Sequence, residues 1–235
     1  MIPFPILINL NSLVMKTKTF KLTILLAIFF VGMNCSSIGQ SKAGDKKIKG
    51  TQLLKNNSLN NWVFYLKDQS VDPSTVFTIR EGVVHITGNP FGYMRTKKSY
   101  SDYKLHVEYR WPSEATNSGV FVHCQLPDTI WITGIECQLA KGNAGDFACV
   151  GETDMKERTD KTRKGRMIKK MAESSEKAVG EWNTMDITCN GNTIEVIVNG
   201  VLQNKGSEVN VSQGFIVLQS EGKDVEFRNV ILSDL

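Results

Sequence analysis

The stretch Ile135-Glu136-Cys137-Gln138-Leu139 sets a carboxylate and an amide two residues apart among apolar neighbours, and the turn-forming Gly142-Asn143-Ala144-Gly145-Asp146 follows closely. In an extended chain successive side chains point to opposite faces, so Glu136 and Gln138 share one face while Ile135, Cys137 and Leu139 share the other. The same alternation in residues 105–110 opposes Leu105, Val107 and Tyr109 to His106, Glu108 and Arg110. In residues 120–125, Val120, Val122 and Cys124 oppose Phe121, His123 and Gln125, and further on Val217, Gln219 and Glu221 share a face. Solvated strand faces usually carry Lys, Thr, Ser and Glu. These strands carry Gln, His, Glu and Arg, which hydrogen-bond sugars or move protons.

Other residue types add to this reading. His85, His106 and His123 fall on separate expected strands, and His106 and His123 are expected to share the polar face with Glu108 and Glu136. Such a set could hold zinc or another divalent metal, and an acidic turn at Asp146 could hold calcium. Trp111, Trp131 and Phe147 are candidates for a sugar-stacking wall, whereas Trp62 and Trp182 read as core or turn packing. The Gly142-to-Asp146 turn comes just after Gln138 and is expected to form a rim of the cleft, with Asp146 among the binding residues.

The elements that must position these groups read as strands. Short β-rich runs recur at residues 76–80, 83–87, 103–111, 119–125, 134–139, 182–189, 193–198, 214–219 and 225–232, separated by turn signals. Asn190-Gly191-Asn192 and Asn199-Gly200 are strong hairpin turns. Helical periodicity appears only around 167–177. The pattern predicts an all-β antiparallel sandwich or jelly roll over residues 53–235, with a charged, solvated insertion near 153–178 flanking the site.

The chain has 235 residues, 41% hydrophobic and 22% charged, with a formal net charge of +4, which suits one sandwich domain. The basic residues cluster near Lys16–Lys21, at 46–49 and over 156–177 without interleaved aromatics. That argues against a nucleic-acid groove. Residues 1–39 read as a targeting segment: Lys16 and Lys18 precede an uncharged apolar run of roughly ten residues, a signal-peptide length, whereas a spanning helix needs about twenty. Cleavage before Gln40 is expected, with lipidation at Cys35 and membrane anchoring as the alternative. Either route exports the protein to the periplasm, cell surface or medium. Residues 40–52 read as a linker. Cys124, Cys137, Cys149 and Cys189 show no metal-type spacing and are expected to be free, buried thiols.

Asn117-Ser118-Gly119-Val120-Phe121, Glu136-Cys137-Gln138, Gly142-Asn143-Ala144-Gly145-Asp146-Phe147, Gly180-Glu181-Trp182-Asn183, Val198-Asn199-Gly200 and the run from Gly214 through Glu221-Gly222 to Phe227-Arg228-Asn229-Val230 resemble the 3-keto-disaccharide hydrolase family, long known as domain of unknown function 1080. The resemblance runs from about Leu53 to Leu235 and implies a concanavalin A-like lectin/glucanase jelly roll, exported, that acts on glycosides oxidised at C3. Many members read Gln-x-His-Gly where this chain has Gln219-Ser220-Glu221-Gly222, so a role for that histidine does not carry over. A C3 carbonyl acidifies the C2 proton; its removal forms an enolate that expels the C1 substituent, and water can add to complete hydrolysis. Facing and resemblance together make Glu136 the candidate base, Glu108 or Glu221 the acid, and His123 or Arg110 the group that steadies the enolate. Asn117, Gln125, Gln138, Gln219 and Trp131 are the candidate sugar binders.

Two other readings use the same residues. A conventional glycosidase would need two carboxylates at a set separation, although the ExDxxE triplet of laminarinase-like members of the fold is lacking. A non-catalytic carbohydrate-binding module would tolerate loss of Glu136 with mainly a change in affinity. A structural ion pair between Glu136 and Arg110 is the alternative to catalysis for that residue.

Overall fold

A computed structural model describes residues 48–235. The targeting segment, Cys35 and Gln40 lie outside the described residues. The strands in chain order are β1 (Thr51–Gln52), β2 (Trp62–Leu66), β3 (Phe77–Arg80), β4 (Val83–Ile86), β5 (Gly92–Thr96), β6 (Tyr103–Arg110), β7 (Gly119–Cys124), β8 (Gly134–Gln138), β9 (Phe147–Val150), β10 (Met167–Ile168), β11 (Asn183–Asn190), β12 (Thr193–Val198), β13 (Val201–Gly206), β14 (Phe215–Ser220) and β15 (Val225–Ser233). They form two antiparallel sheets. One runs β13-β12-β11-β6-β15-β4-β3 with β1 added against β15; the other runs β10-β9-β8-β7-β14-β5-β2.

All nine expected strands are present, with ends within about two residues of the expected ones. The unexpected β5 and β9 are buried along their whole length, and a strand covered on both faces has no reason to alternate. Pairing also begins earlier than expected, because Thr51 and Gln52 lie opposite Leu232 and Ile231. The helical periodicity around 167–177 forms no helix: a single 3-10 turn (Lys164–Arg166) leads into β10, which pairs with β9. Beyond it the backbone finds partners elsewhere, Lys170 donating to the Asp146 carboxylate and Met171 to the Gln203 carbonyl. These longer-range bonds satisfy backbone groups that a helix would otherwise have to pair internally.

The inner faces of the two sheets pack together. Leu105, Val107 and Tyr109 from β6 meet Val120 and Val122 from β7, and Ile135 and Cys137 from β8, in one cluster. All four described cysteines are free and buried. Trp111 and Phe147, expected on a sugar-stacking wall, belong to this inner core at 3% and 0% exposure. The hairpin between β12 and β13 turns on Asn199 and Gly200, both at positive φ, the conformation that a two-residue turn between right-twisted strands requires.

The packing corrects one central expectation. β6 lies in the eight-stranded sheet, whereas β7, β8 and β14 lie in the seven-stranded one. Two sheets that bury their apolar faces against each other point their polar faces in opposite directions. His106, Glu108 and Arg110 therefore lie across the sandwich from Glu136, and neither a shared cleft nor a Glu136–Arg110 ion pair forms. Alternation tells which residues share a face of one strand; it does not tell which sheet the strand joins.

Candidate active site on the outer face of the seven-stranded sheet

Directly paired residues of antiparallel strands share a face. One row across the seven-stranded sheet runs through Arg95, Val217, Phe121, Glu136, Ala148 and Met167. Beside it Gln219 pairs with Tyr93, and Gly119 with Gln138. This outer face is not left to solvent. Tyr93, Phe121, Cys124, Ile132, Ala148, Val150 and Val217 form a second apolar cluster there, with Met167 packed against it. The loop after β7 is held over the sheet by Asp128, which accepts from Arg95 at 2.7 and 2.6 Å and from the Tyr93 hydroxyl at 3.0 Å.

Glu136 stands in this row at 6% exposure. Its carboxyl occupies space that exists because residue 119 is glycine: a Cβ there would lie 2.6 Å from Glu136 Oε1 and 3.0 Å from the Phe121 ring. Burial pushes the carboxyl from the usual 4.5 up to about 8; the negative charge of Glu221 adds to the rise, and Arg166 opposes it. A carboxyl removed from water keeps its proton because the ionised form loses most of its hydration. Burial also raises Glu221, with Asn117, Arg166 and Gln219 acting the other way. The Asn117 and Gln219 side-chain oxygens are buried without a partner among the described residues. Each is an acceptor that a substrate hydroxyl could satisfy.

Gln138 faces the same way, and its Oε1 accepts from the Leu139 and Ala140 amides at 2.9 and 3.0 Å. Two backbone donors fix the oxygen inward and leave the amide nitrogen as the group free to donate. Trp131 is 50% exposed, packs on Phe91 with ring centroids 4.8 Å apart, and carries the Arg166 guanidinium at 5.9 Å. It also borders a small apolar gap with Tyr93, Phe121 and Gln219.

The structure thus gathers Glu136, Glu221, Asn117, Gln138 and Gln219 on one face, with Trp131 close by. It separates the other candidates. Glu108 accepts from Arg228 Nε and Asn229 Nδ2, both at 2.6 Å, on the outer face of the eight-stranded sheet. There Arg110 pairs with Glu226 and lies over Trp182, with Arg228 over the same ring. Trp182 thus lies outside the core and packs against two guanidinium groups.

Alternation alone puts His123 on the polar face, but β7 bulges at this point. Cys124 pairs with Phe215 and Phe121 with Val217, which leaves one extra residue in β7, and His123 takes φ of 53°. The bulge turns the imidazole toward the inner core, edge-on to Tyr103, and brings Cys124 onto the outer cluster instead. Gly214 permits the bulge, since a Cβ there would lie 2.4 Å from the His123 carbonyl carbon. Burial lowers the His123 pKa, and a neutral ring with Nδ1 donating to the Val211 carbonyl at 3.0 Å follows. Gln125 donates to the His123 and Gln213 carbonyls and serves the bulge, not a ligand.

Asp146 also has a different task from the rim residue expected. It is 1% exposed and accepts from Lys169 Nζ and the Lys170 amide, each at 2.8 Å, which ties the 164–171 segment to the β8–β9 hairpin. Among the described residues no group of three or more His, Cys, Asp or Glu side chains is arranged to hold a metal. His106 meets Asp186 at 2.6 Å and Glu108 at 3.7 Å in an ion-pair arrangement on the far sheet.

Sequence reasoning missed Arg166, Gly119 as the space for Glu136, and the Tyr93–Arg95–Asp128 brace. Arg166 lies in an insertion with no periodicity to read. Tyr93 and Arg95 did carry a signal, being two apart on either side of the apolar Met94.

Two packed antiparallel sheets with a polar site on one outer face define a concanavalin A-like jelly roll of the lectin and glucanase type. Solved structures share this fold. A putative glycosyl hydrolase from Parabacteroides distasonis superposes with a TM-score of 0.57 at 22% identity, covering 80% of this chain and 100% of that one. A carbohydrate binding module from Bacillus subtilis gives 0.55 at 10% identity, covering 74% and 96%. A Bacillus licheniformis beta-glucanase gives 0.51 at 10% identity, covering 80% and 99%. No curated protein matches the chain in sequence. Residues 50–233 match the family described as 3-keto-alpha-glucoside-1,2-lyase-like domain, and the chain belongs to that family. That membership ties the chain to carbohydrate-related function.

Proposed function

We propose that this protein cleaves glycosides oxidised at C3 by eliminating the C1 substituent, at the site built around Glu136 and Glu221. The observation that carries this reading is a pair of neighbouring carboxyls of unequal burial, one of which keeps its proton up to about pH 8. Of two neighbouring carboxyls, the more deeply buried one, which holds its proton, is suited to act as the acid, and the more accessible one as the base. That ordering exchanges the roles expected from sequence. Glu221, in its carboxylate form, removes the C2 proton, and the C–H electron pair passes toward C3 as the enolate forms. The enolate expels the C1 oxygen, which takes the proton of Glu136. The products are an enone and a free alcohol; water adding to the enone completes net hydrolysis. Arg166, whose charge acts on both carboxyls, stands where it can oppose negative charge on the enolate. Asn117, Gln138 and Gln219 hydrogen-bond the sugar hydroxyls, and Trp131 supplies an apolar face for a ring. The proposed setting is outside the cytoplasm, in keeping with the leader-like residues 1–39.

The test is incubation with a disaccharide and its 3-keto derivative, reading free monosaccharide and enone absorbance. Cleavage confined to the keto sugar, with an alkaline limb near pH 8 that disappears in Glu136→Gln, is the expected result. Full activity in both Glu136→Gln and Glu221→Gln would refute the assignment. Cleavage of the plain disaccharide at an equal rate would point to ordinary glycoside hydrolysis.

A further inference from the structure

Beyond Trp131 and Arg166 lies a concavity whose lining differs from the carboxyl site. It encloses about 700 Å³ between β9 and the 158–166 segment, within the range of small-molecule sites. Arg158, Lys161, Arg163 and Arg166 line it, against only Glu152 and Asp154 of opposite sign. Asp154 is already engaged, by Lys161 at 2.8 Å and by Arg158 at 3.9 Å. Arg158 donates to the carbonyls of Thr153, Lys161 and Thr162 and retains a buried Nε without a partner. The balance of charge left to a ligand is therefore positive. Trp131, half exposed, stands at the boundary between this concavity and the outer-face site.

We infer that this concavity is a subsite for a saccharide unit bearing a negative charge, a uronate carboxylate or a sulfate ester, on the substrate whose neighbouring unit is cleaved at Glu136. The inference rests on the proposed reaction for the order of the two units. Guanidinium groups present planar donor pairs that match carboxylate and sulfate oxygens. An indole face beside them is the complement of a pyranose ring, and this pairing of stacking surface and cation suits an acidic sugar better than an inorganic anion. A neutral glycan would leave the cations unmatched and gains only the stacking.

Calorimetric titration tests the subsite without turnover. The ligands are a uronate-containing disaccharide, its methyl ester, a sulfated disaccharide and inorganic sulfate. The acidic disaccharides are expected to bind about tenfold or more tighter than the methyl ester at low salt. The preference should shrink several-fold at high salt because exposed charges are screened. Arg163→Glu, at an exposed position, should remove the preference while leaving methyl ester affinity within about twofold. Equal binding of acid and ester, preference retained in Arg163→Glu, or inorganic sulfate binding as tightly as the sulfated sugar would each overturn the inference. Loss of the cleavage reading would show separately, as unchanged activity in Glu136→Gln and Glu221→Gln, with the binding preference still measurable.

Discussion

Replacing Glu136 with glutamine should change stability in a way that depends strongly on pH. In the unfolded chain the carboxyl ionises near 4.5, whereas in the folded protein burial raises it to about 8. Below pH 4.5 both states hold the proton and the residue adds no pH dependence. Between the two values the unfolded state releases its proton first, so the folded state binds more protons and stability falls as pH rises. Above about pH 8 both states are ionised and the loss is complete. At about 1.4 kcal/mol per pH unit of separation, the full effect is on the order of 4–5 kcal/mol, a large fraction of the stability of an ordinary domain. Glutamine is nearly isosteric and cannot ionise. Urea denaturation of wild type and Glu136→Gln at pH 5 and pH 9 should therefore give a small difference in acid and a variant several kcal/mol more stable in base. The m-values should agree, since neither fold changes. A stability difference that is the same at both pH values would refute the argument that burial holds this carboxyl neutral, and with it the assignment of Glu136 as the acid.

Other perturbations separate the site from the scaffold. Gly119→Ala places a methyl 2.6 Å from Glu136 Oε1; kcat/KM on the 3-keto substrate should fall on the order of tenfold or more, because small misplacements of a reacting group are costly. Thermal denaturation should show only a modest change in that variant, since the carboxylate end is flexible. Glu108→Gln should leave turnover unchanged but cost about 1–2 kcal/mol by weakening the bonds from Arg228 and Asn229. Those partners lower the Glu108 pKa despite an opposing effect of burial, so this cost is present above about pH 4.5 and disappears as the pH falls through the folded value. Asp146→Ala should cost about 2 kcal/mol and raise hydrogen exchange over residues 164–171, whose tether it removes.

The residue pattern alone determined a good deal. Period-two alternation placed nine strands, because half-buried strands must show one face to a core and the other away from it. The Asn199-Gly200 turn was legible because only residues that tolerate positive φ can make it. Glu136 and Gln138 were correctly set on one face, since i and i+2 in a strand cannot point apart. Motif resemblance supplied the fold family and the sugar chemistry, neither of which periodicity can express.

What the tertiary structure decided was adjacency. Glu108 and Arg110 have the same alternation as Glu136, yet their strand joins the opposite sheet, and no local signal encodes that choice. His123 left the polar face because one extra residue bulges β7, a consequence of how Gly214 and β14 approach it. Asp146 became a tether once the insertion folded back onto the β8–β9 hairpin, and Arg166 entered the site on that same insertion. The burial that keeps a proton on Glu136 comes from loops and side chains contributed by distant parts of the chain. A strand's own sequence can say which way a carboxyl points, but its proton affinity depends on how much water the rest of the fold excludes around it.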